Sequence, residues 1–472
     1  MMALVRIETR MSSARCFMAA IFACTLAYGQ TSTDVSVSSA PQQAPGQAPS
    51  NAPLTLTLQD ALQRAKANNP QFQAAVTALG VAHGDKVQAR AALLPNVNFT
   101  SQFLYTQGQG IPTGTKFPPT LPTFVANNGV HEYIAQGVIS QALAGGVVAD
   151  YRRAAALEAV ARAKQEIAAR GLAVTVVQAY YAFLVAQRKY ATQQQAFGEA
   201  ERFFQITQKL QKGGEVAQSD VIKAQIQYQG QERDLGQAQL EMNRSRLELA
   251  VLLFPDFNQN FALVDDLGQP APVPSFGEVE AAGMRNNPSL RAAIFALRAA
   301  RQEVSAAWWG ILPSISLEYF YGIDANQFAT YGPFDPALGR RPRNLGYSGA
   351  ATLNLPIWNW GAGLSRVKQA NFQRKQAQVE LSAAQRQLLA DLRSLYEELQ
   401  VAHQQLGTLE QSAALAAESL RLTTMRYQAG ESTVLEVVDA QNTLTLARNA
   451  YDDGQLRLRT AQVNLQTLTG TP

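Results

Sequence analysis

Ile311-Leu312-Pro313-Ser314-Ile315-Ser316-Leu317-Glu318-Tyr319-Phe320-Tyr321 holds a helix end, a proline and the start of a strand. Proline biases the residue before it away from helix and stops the helix that reaches it. Beyond it, Ile315, Leu317, Tyr319 and Tyr321 alternate with Ser314, Ser316 and Glu318, the period of a strand with one apolar face. The same text stands 218 positions earlier, where Leu93-Leu94-Pro95 leads into Val97, Phe99, Phe103 and Tyr105 alternating with Asn96, Asn98, Thr100 and Gln102. That spacing also joins Thr57 to Ser275, Asp60 to Glu278, and Asn69-Pro70 to Asn287-Pro288. Gly214 and Gly430, and Asp220 and Glu436, match at a spacing of 216, so the halves differ by two residues of loop. A unit this long is no solenoid repeat. The chain is a duplicated multi-element module.

Bulk properties narrow what the module can be. With 472 residues, 47% hydrophobic and 16% charged, and a mean hydropathy of -0.13, the chain is neither disordered nor a bundle of membrane helices. Beyond the N-terminus no stretch approaches the roughly 18 consecutive apolar residues of a transmembrane helix. Of the formal charge of +4, Arg6, Arg10 and Arg15 against Glu8 supply +2. The remainder is no footprint for nucleic acid. Residues 1–29 read as a signal peptide: the arginines precede an apolar run from Cys16 to Ala27, and Ala27-Tyr28-Gly29 offers small residues for cleavage. Both cysteines, Cys16 and Cys24, fall inside it, so the mature chain would have neither a disulfide nor a thiolate metal site. Ile21-Phe22-Ala23-Cys24 offers a rival reading as a lipoprotein cleavage box, against which the bulky Phe22 speaks. Residues 30–53, rich in Pro, Gln, Ser and Ala, form a flexible leader.

The two modules cover 54–254 and 275–470, with a linker at 255–274. In the first, helices are expected over 58–93, 147–212 and 216–253 and strands over 95–105 and 132–141. In the second, helices are expected over 276–311, 362–429 and 432–468 and strands over 313–322 and 346–357. Thr57-Leu58-Gln59-Asp60 and Ser275-Phe276-Gly277-Glu278 are capping boxes that open each module. The long proline-free helices would each measure roughly 100 Å. Gly213-Gly214 and Gly430 then reverse the chain. The returning helix carries a 3-4-3-4 seam at Val437, Ala440, Leu444, Ala447, Tyr451, Gly454, Leu458, Ala461, Leu465 and Leu468. Its partner shows the same period at Leu388, Leu392, Leu395, Leu399, Ala402, Leu406 and Leu409, which is supercoiled helix-on-helix packing.

Strands of 9–11 residues with a dyad pattern suit a bilayer-spanning barrel, but on periodicity alone an ordinary half-buried sheet is the readier reading. Tryptophan placement favours the membrane. Trp308 and Trp309 stand just before one strand and Trp358 and Trp360 just after its partner, as an interfacial belt would place them. The Gly/Pro-rich stretches Thr106–Asn128 and Asp324–Arg343 have the length of outward loops. Four lipid-facing strands leave two open edges whose backbone groups find no water in hydrocarbon, so several chains must share one barrel.

The chain resembles the TolC-type outer membrane efflux protein family from Leu54 to Gly470. The resemblance is carried by Asn69-Pro70 and Asn287-Pro288, Leu93-Leu94-Pro95 and Ile311-Leu312-Pro313, Leu355-Pro356-Ile357 with Gly361-Ala362-Gly363, and Arg426-Tyr427-Gln428-Ala429-Gly430 ahead of Glu436-Val437-Val438-Asp439-Ala440. It implies an α+β membrane protein, a homotrimer whose twelve-stranded outer membrane barrel continues into a twelve-helix periplasmic tunnel. It also implies as partners a periplasmic adaptor and an inner membrane pump of RND, ABC or MFS type. Acids just past the turn glycines line the closed end in that family; here they match Asp220, Glu436 and Asp439, while Tyr427 matches a position that holds the gate shut. The tips Gly213, Gly214, Gly430, Glu431 and Ser432 match the adaptor contact. Ser432 and Leu210 depart from the family's basic and aromatic residues, which weakens a salt-bridged lock. An acid early in a helix also serves the helix dipole, and Ser219-Asp220 could be a capping pair.

No catalytic set is visible: His83, His131 and His403 are scattered, no phosphate-cradling loop precedes a helix, and no cofactor is expected. Glu397-Glu398 reads as a solvated helix face. A periplasmic coiled-coil scaffold would also use heptads but leaves the dyad strands and clustered tryptophans unexplained; a trimeric surface adhesin would use heptads too, usually with one barrel module at one end.

Overall fold

The computed structural model describes residues 54–105, 131–268 and 273–470. The expected signal peptide, with Cys16 and Cys24, the expected leader, and the loop Thr106–Asn128 lie outside them. The first half runs β1 (Leu54–Leu56), α1 (Leu58–Asn68), α2 (Pro70–Ala91), β2 (Asn96–Tyr105), β3 (His131–Leu143), α3 (Gly145–Lys212) and α4 (Gln218–Leu253). The second runs β4 (Phe261–Leu263), α5 (Phe276–Asn286), α6 (Pro288–Trp309), β5 (Ser314–Ala325), β6 (Leu345–Asn354), α7 (Ala362–Gln428) and α8 (Val434–Thr469).

Local chemistry sets the breaks. Thr57 and Asp60 exchange backbone-to-side-chain hydrogen bonds at 3.2 Å, closing a capping box on α1. The Asn-Pro pairs do more than interrupt a helix. Asn69 Oδ1 accepts from Phe72 N at 2.8 Å and Asn287 Oδ1 from Leu290 N at 2.9 Å, so each asparagine caps the next helix while proline occupies its first turn. Asn68 Nδ2 donates to Leu253 O and Asn287 Nδ2 to Leu468 O, tying each break to the end of a returning helix.

The four long strands form one antiparallel sheet in the order β2-β3-β5-β6. Its register puts Val97 beside Ile139, Ile139 beside Tyr319 and Tyr319 beside Gly349. Odd-numbered residues of all four strands therefore share one face, which carries Val97, Phe99, Phe103, Tyr133, Ile139, Leu317, Tyr319, Tyr321, Tyr347 and Leu353. The other face carries Asn98, Thr100, Gln102, Gln136, Ser140, Glu318, Ser348 and Thr352, with Ile134, Val138 and Phe320 among them. β3, whose alternation is the weakest in the sequence, is the strand that joins the two halves. β6, expected to reach 357, ends at Asn354 because Pro356 has no N–H for the ladder.

Below the sheet the helices pack in pairs. Val437, Ala440, Leu444, Leu458, Ala461 and Leu465 of α8 are buried, as are Leu388, Leu392, Leu399 and Ala402 of α7. Gly454 sits where a Cβ would strike Leu409, so the seam narrows there. One 18-residue window of α3 is apolar enough to cross a membrane, against the sequence expectation that none would be. Its apolarity has another cause. Leu172, Val176, Val177, Tyr180, Phe183 and Leu184 fill a core cluster with Leu249, Leu253 and Phe261. The same cluster holds a short parallel pair that no sequence period announces, β1 with β4. Tyr180 Oη donates to Val264 O at 2.7 Å and lies 3.2 Å from Leu56 O, securing both of these strands. Burial pushes that hydroxyl up to about 12.

Candidate functional site

The two helix-turn tips are built on the same backbone. In the first, Gly214 stands at φ 79°, with Glu215 N donating to Leu210 O at 2.9 Å and Gly214 N to Gln211 O at 2.9 Å. In the second, Gly430 stands at φ 79°, with Glu431 N donating to Arg426 O at 2.8 Å and Gly430 N to Tyr427 O at 3.0 Å. Each is a Schellman stop that only a residue tolerant of positive φ can make without strain. Gly213 has ordinary helical φ, and Ala429 takes its place in the second tip.

Chemistry separates them one turn later. α8 begins with Thr433, whose hydroxyl accepts from Glu436 N at 3.4 Å while Thr433 N donates to Glu436 Oε1 at 3.3 Å. Ser432 Oγ donates to Glu436 Oε2 at 2.8 Å. These donors, Ser432 first, hold the Glu436 carboxyl below the usual carboxylate range. α4 begins with Ala217, which offers no side-chain cap. Asp220, its third residue, is half-buried, and among the described residues its carboxylate meets only Lys223 Nζ, at 3.4 Å. Asp439 is exposed on α8.

Tyr427 joins the two tips. It is 5% exposed, its ring lies 5.1 Å from that of Phe203, and its hydroxyl is 3.4 Å from the buried Thr207 Oγ1. Phe203 stands two helical turns before Leu210, so an aromatic partner for Tyr427 exists at another position than the one expected. Val434, Val437, Leu444, Leu420 and Ala224 complete this cluster, which spans α3, α4, α7 and α8. Burial raises the Tyr427 hydroxyl, and the charge of Asp220 adds to the rise. Asp220 and Tyr427 thus sit within electrostatic reach, while the contacts of Glu436 are all within its own tip.

At the sheet end the four tryptophans divide. Trp358 and Trp360 are 75% and 89% exposed, with rings edge to face at 5.8 Å. Trp360 has φ 54°, a strained conformation for an aromatic residue, ahead of Gly361 at φ 81°. Trp308 and Trp309 close the last turn of α6, and Trp309 covers Gly145 so closely that no Cβ would fit there. Trp309 therefore packs across the junction between halves, and half its surface is covered by its own chain.

Two interactions escaped sequence reasoning. Glu158 of α3 is buried and accepts from Lys86 Nζ at 2.7 Å and contacts His83 Nδ1 at 3.0 Å, linking α2 to α3; Lys86, then His83, holds its carboxyl low. Glu398, expected on a solvated face, meets Arg457 through both carboxylate oxygens at 2.6 and 3.0 Å, and so fastens α7 to α8. Among the described residues no group of three or more His, Cys, Asp or Glu could hold a metal ion.

The duplicated helix–hairpin–helix module matches the outer membrane efflux protein family twice, over residues 61–253 and 284–471. The chain belongs to the outer membrane efflux protein family. It is 22% identical over 399 residues to nodulation protein T of Rhizobium leguminosarum bv. trifolii, covering 82% of this chain and 79% of that one. Its fold matches the Campylobacter jejuni CmeC outer membrane channel with a TM-score of 0.73 at 16% identity, over 88% of this chain and 85% of that one. It matches the open state of the Neisseria gonorrhoeae MtrE outer membrane channel with a TM-score of 0.70 at 20% identity, over 88% of each chain. As a member of this family it is an outer membrane channel for efflux with a large periplasmic extension.

Proposed function

We propose that three copies of this outer membrane efflux protein close a twelve-stranded barrel over a twelve-helix periplasmic tunnel, with Asp220 at its constriction. The observation that carries the assembly is the junction between the two halves. Within one chain β3 pairs with β5, and α6 packs between α3 and α7. The outer strands β2 and β6 keep one edge each unpaired among the described residues. α2, the counterpart of α6, packs on α3 and buries no residue of its own. Val81 and Val87 of α2 and Phe372 and Val379 of α7 are exposed. Pairing β6 with β2 of a neighbour, and α7 with its α2, repeats the internal junction between subunits. It leaves no strand edge in hydrocarbon, where each bare backbone group costs several kcal/mol. The odd-numbered apolar face then meets lipid and the polar face lines the lumen. Trp358 and Trp360 lie at the headgroup level.

At the other end the tips converge. Asp220, Glu436 and Asp439 from three subunits would ring the opening with carboxylates, which favours cations and bound counterions. Glu436 is already engaged by its own cap, so Asp220 is the acid best placed to act on the aperture. Gly213, Gly214, Gly430, Glu431 and Ser432 form the surface for a periplasmic adaptor, which couples the channel to an inner membrane pump. The conduit is passive and takes its cargo from that pump. The test is single-channel recording in planar bilayers. The D220A/E436A/D439A variant should conduct more than the parent, with D220A giving most of the gain. Unchanged conductance overturns the aperture, and a monomer in mild detergent by mass measurement overturns the assembly.

A further inference from the structure

The hairpin joining β5 to β6 is far more ordered than a passive outer loop requires. Gly332 N donates to Pro342 O at 2.8 Å, Asn344 N to Thr330 O at 3.0 Å and Asp335 N to Arg340 O at 3.1 Å. Asn344 Nδ2 donates to Ala329 O at 2.9 Å, and Ala337 N to Asp335 Oδ1 at 2.8 Å. This frame presents Arg340-Arg341-Pro342-Arg343 with all three arginines exposed. The Arg343 guanidinium lies 6.0 Å from the centre of the Tyr331 ring. Among the described residues none of these arginines forms an ion pair with a carboxylate. Beside them Phe328, Tyr331, Phe334 and Leu338 are exposed.

Position says what the patch faces. Arg343 stands two residues before Leu345 and shares the parity of Tyr347 and Leu353, the apolar face of the sheet. From Asn354, the last residue of β6, to Arg343 the chain runs roughly 36 Å at strand rise. Tilted by about 40° this spans roughly 28 Å, close to the hydrocarbon thickness of a bilayer. With the tryptophans at the inner interface, the arginines fall in the outer headgroup layer. Guanidinium groups grip phosphate through paired N–H donors, and the apolar rings beside them suit the top of the acyl chains.

We infer that the β5–β6 hairpin binds phosphorylated glycolipid headgroups of the outer leaflet through Arg340, Arg341 and Arg343. The inference rests on the barrel reading above. The experiment titrates bisphosphorylated lipid A, its dephosphorylated form, and inorganic phosphate into the purified channel in detergent, reading bound lipid by native mass spectrometry. Lipid A should bind, dephosphorylated lipid at least tenfold more weakly, and inorganic phosphate should compete only at far higher concentration. The R340Q/R341Q/R343Q variant should lose at least tenfold in lipid A affinity, and R340K/R341K/R343K should recover part of it. Equal affinity of parent and glutamine variant, or no preference for the phosphorylated lipid, overturns the site. So does an altered anion-to-cation permeability in the glutamine variant with lipid binding intact, because that puts the arginines in the lumen. Both proteins are also inserted into planar bilayers. A parent that fails to form pores refutes the barrel reading, whereas pores without phosphate preference refute only the lipid site.

Discussion

At the first tip Ala217 leaves the opening amides of α4 without a side-chain oxygen, and Asp220 meets only a lysine one turn on. At the second, Thr433 and Ser432 turn the equivalent Glu436 inward to cap its own helix. The preceding backbone is the same in both, down to a φ of 79° at each glycine. Duplication kept the turn and let the acid diverge. A carboxylate held by three local donors is a structural element, and one with a single long contact is available for another task. The proposed task is the aperture, a reading supported by the half-burial of Asp220 within electrostatic reach of Tyr427.

The largest effect is expected where the tips are joined. Tyr427→Ala removes a buried ring shared by both and should cost about 3 kcal/mol, on the scale of other buried aromatic truncations. It should also raise channel conductance, since its ring and hydroxyl meet Phe203 and Thr207 across the gap between helix pairs. Tyr427→Phe keeps the ring and loses a hydroxyl contact of 3.4 Å, so it should cost less than about 1 kcal/mol. Thermal melts followed by circular dichroism in detergent give the stabilities. Equal losses for the two variants would show that the hydroxyl, not the ring, secures the gate. Next come Gly214→Ala and Gly430→Ala. Each puts a side chain at φ 79° and should cost about 1–2 kcal/mol. The losses should match within error, since the turns are alike; a marked inequality would show that packing around the tips differs where the backbone does not.

Much of this was legible beforehand. Gly214 and Gly430 are visible because a left-handed stop demands glycine, and the seam from Val437 to Leu468 because coiled-coil packing leaves a 3.5-residue period. The sheet faces follow from alternation alone, since parity fixes the side. What the sequence hides is partnership across space. Trp309 reads as a belt residue, and nothing in the sequence shows that it also covers Gly145. Glu398 looks solvated until Arg457 of another helix reaches it. Glu158 shows no local sign of His83 and Lys86, more than 70 positions away. β1 and β4 are too short to show a period at all. At the site, Ser219-Asp220 has the composition of a capping pair, and only the backbone reveals Ala217 as the capping position.

A smaller effect tests the divergence directly. Thr433→Ala should cost about 1 kcal/mol by removing the cap, and Ala217→Thr should stabilise the first tip by up to about 1 kcal/mol. The second change creates Thr-x-x-Asp, the arrangement that Thr57 and Asp60 already adopt in this chain. If Asp220 serves the aperture, drawing it into a cap should also raise conductance toward that of D220A. A stabilised variant with parental conductance would remove Asp220 from the gate.

The smallest expected effect is in pH. The Glu436 carboxyl titrates below its ordinary range because Ser432, then Thr433, donates to its ionised form. A carboxyl depressed in the folded state stabilises the fold fully above its unfolded value, and the contribution drains as pH falls through the folded one. Thr433→Ala removes part of that depression. The stability gap between parent and T433A should therefore be widest at neutral pH and narrow steadily as pH drops below about 4. Ala217→Thr should build the converse at the first tip, a gain over the parent that grows as pH rises through the same range. Melting midpoints of the three proteins from pH 3 to 7 decide it. A gap that stays constant with pH would mean that Thr433 contributes only its neutral hydrogen bond to the backbone. Ser432 would then be the donor that holds Glu436 low, and the second tip would still differ from the first through it.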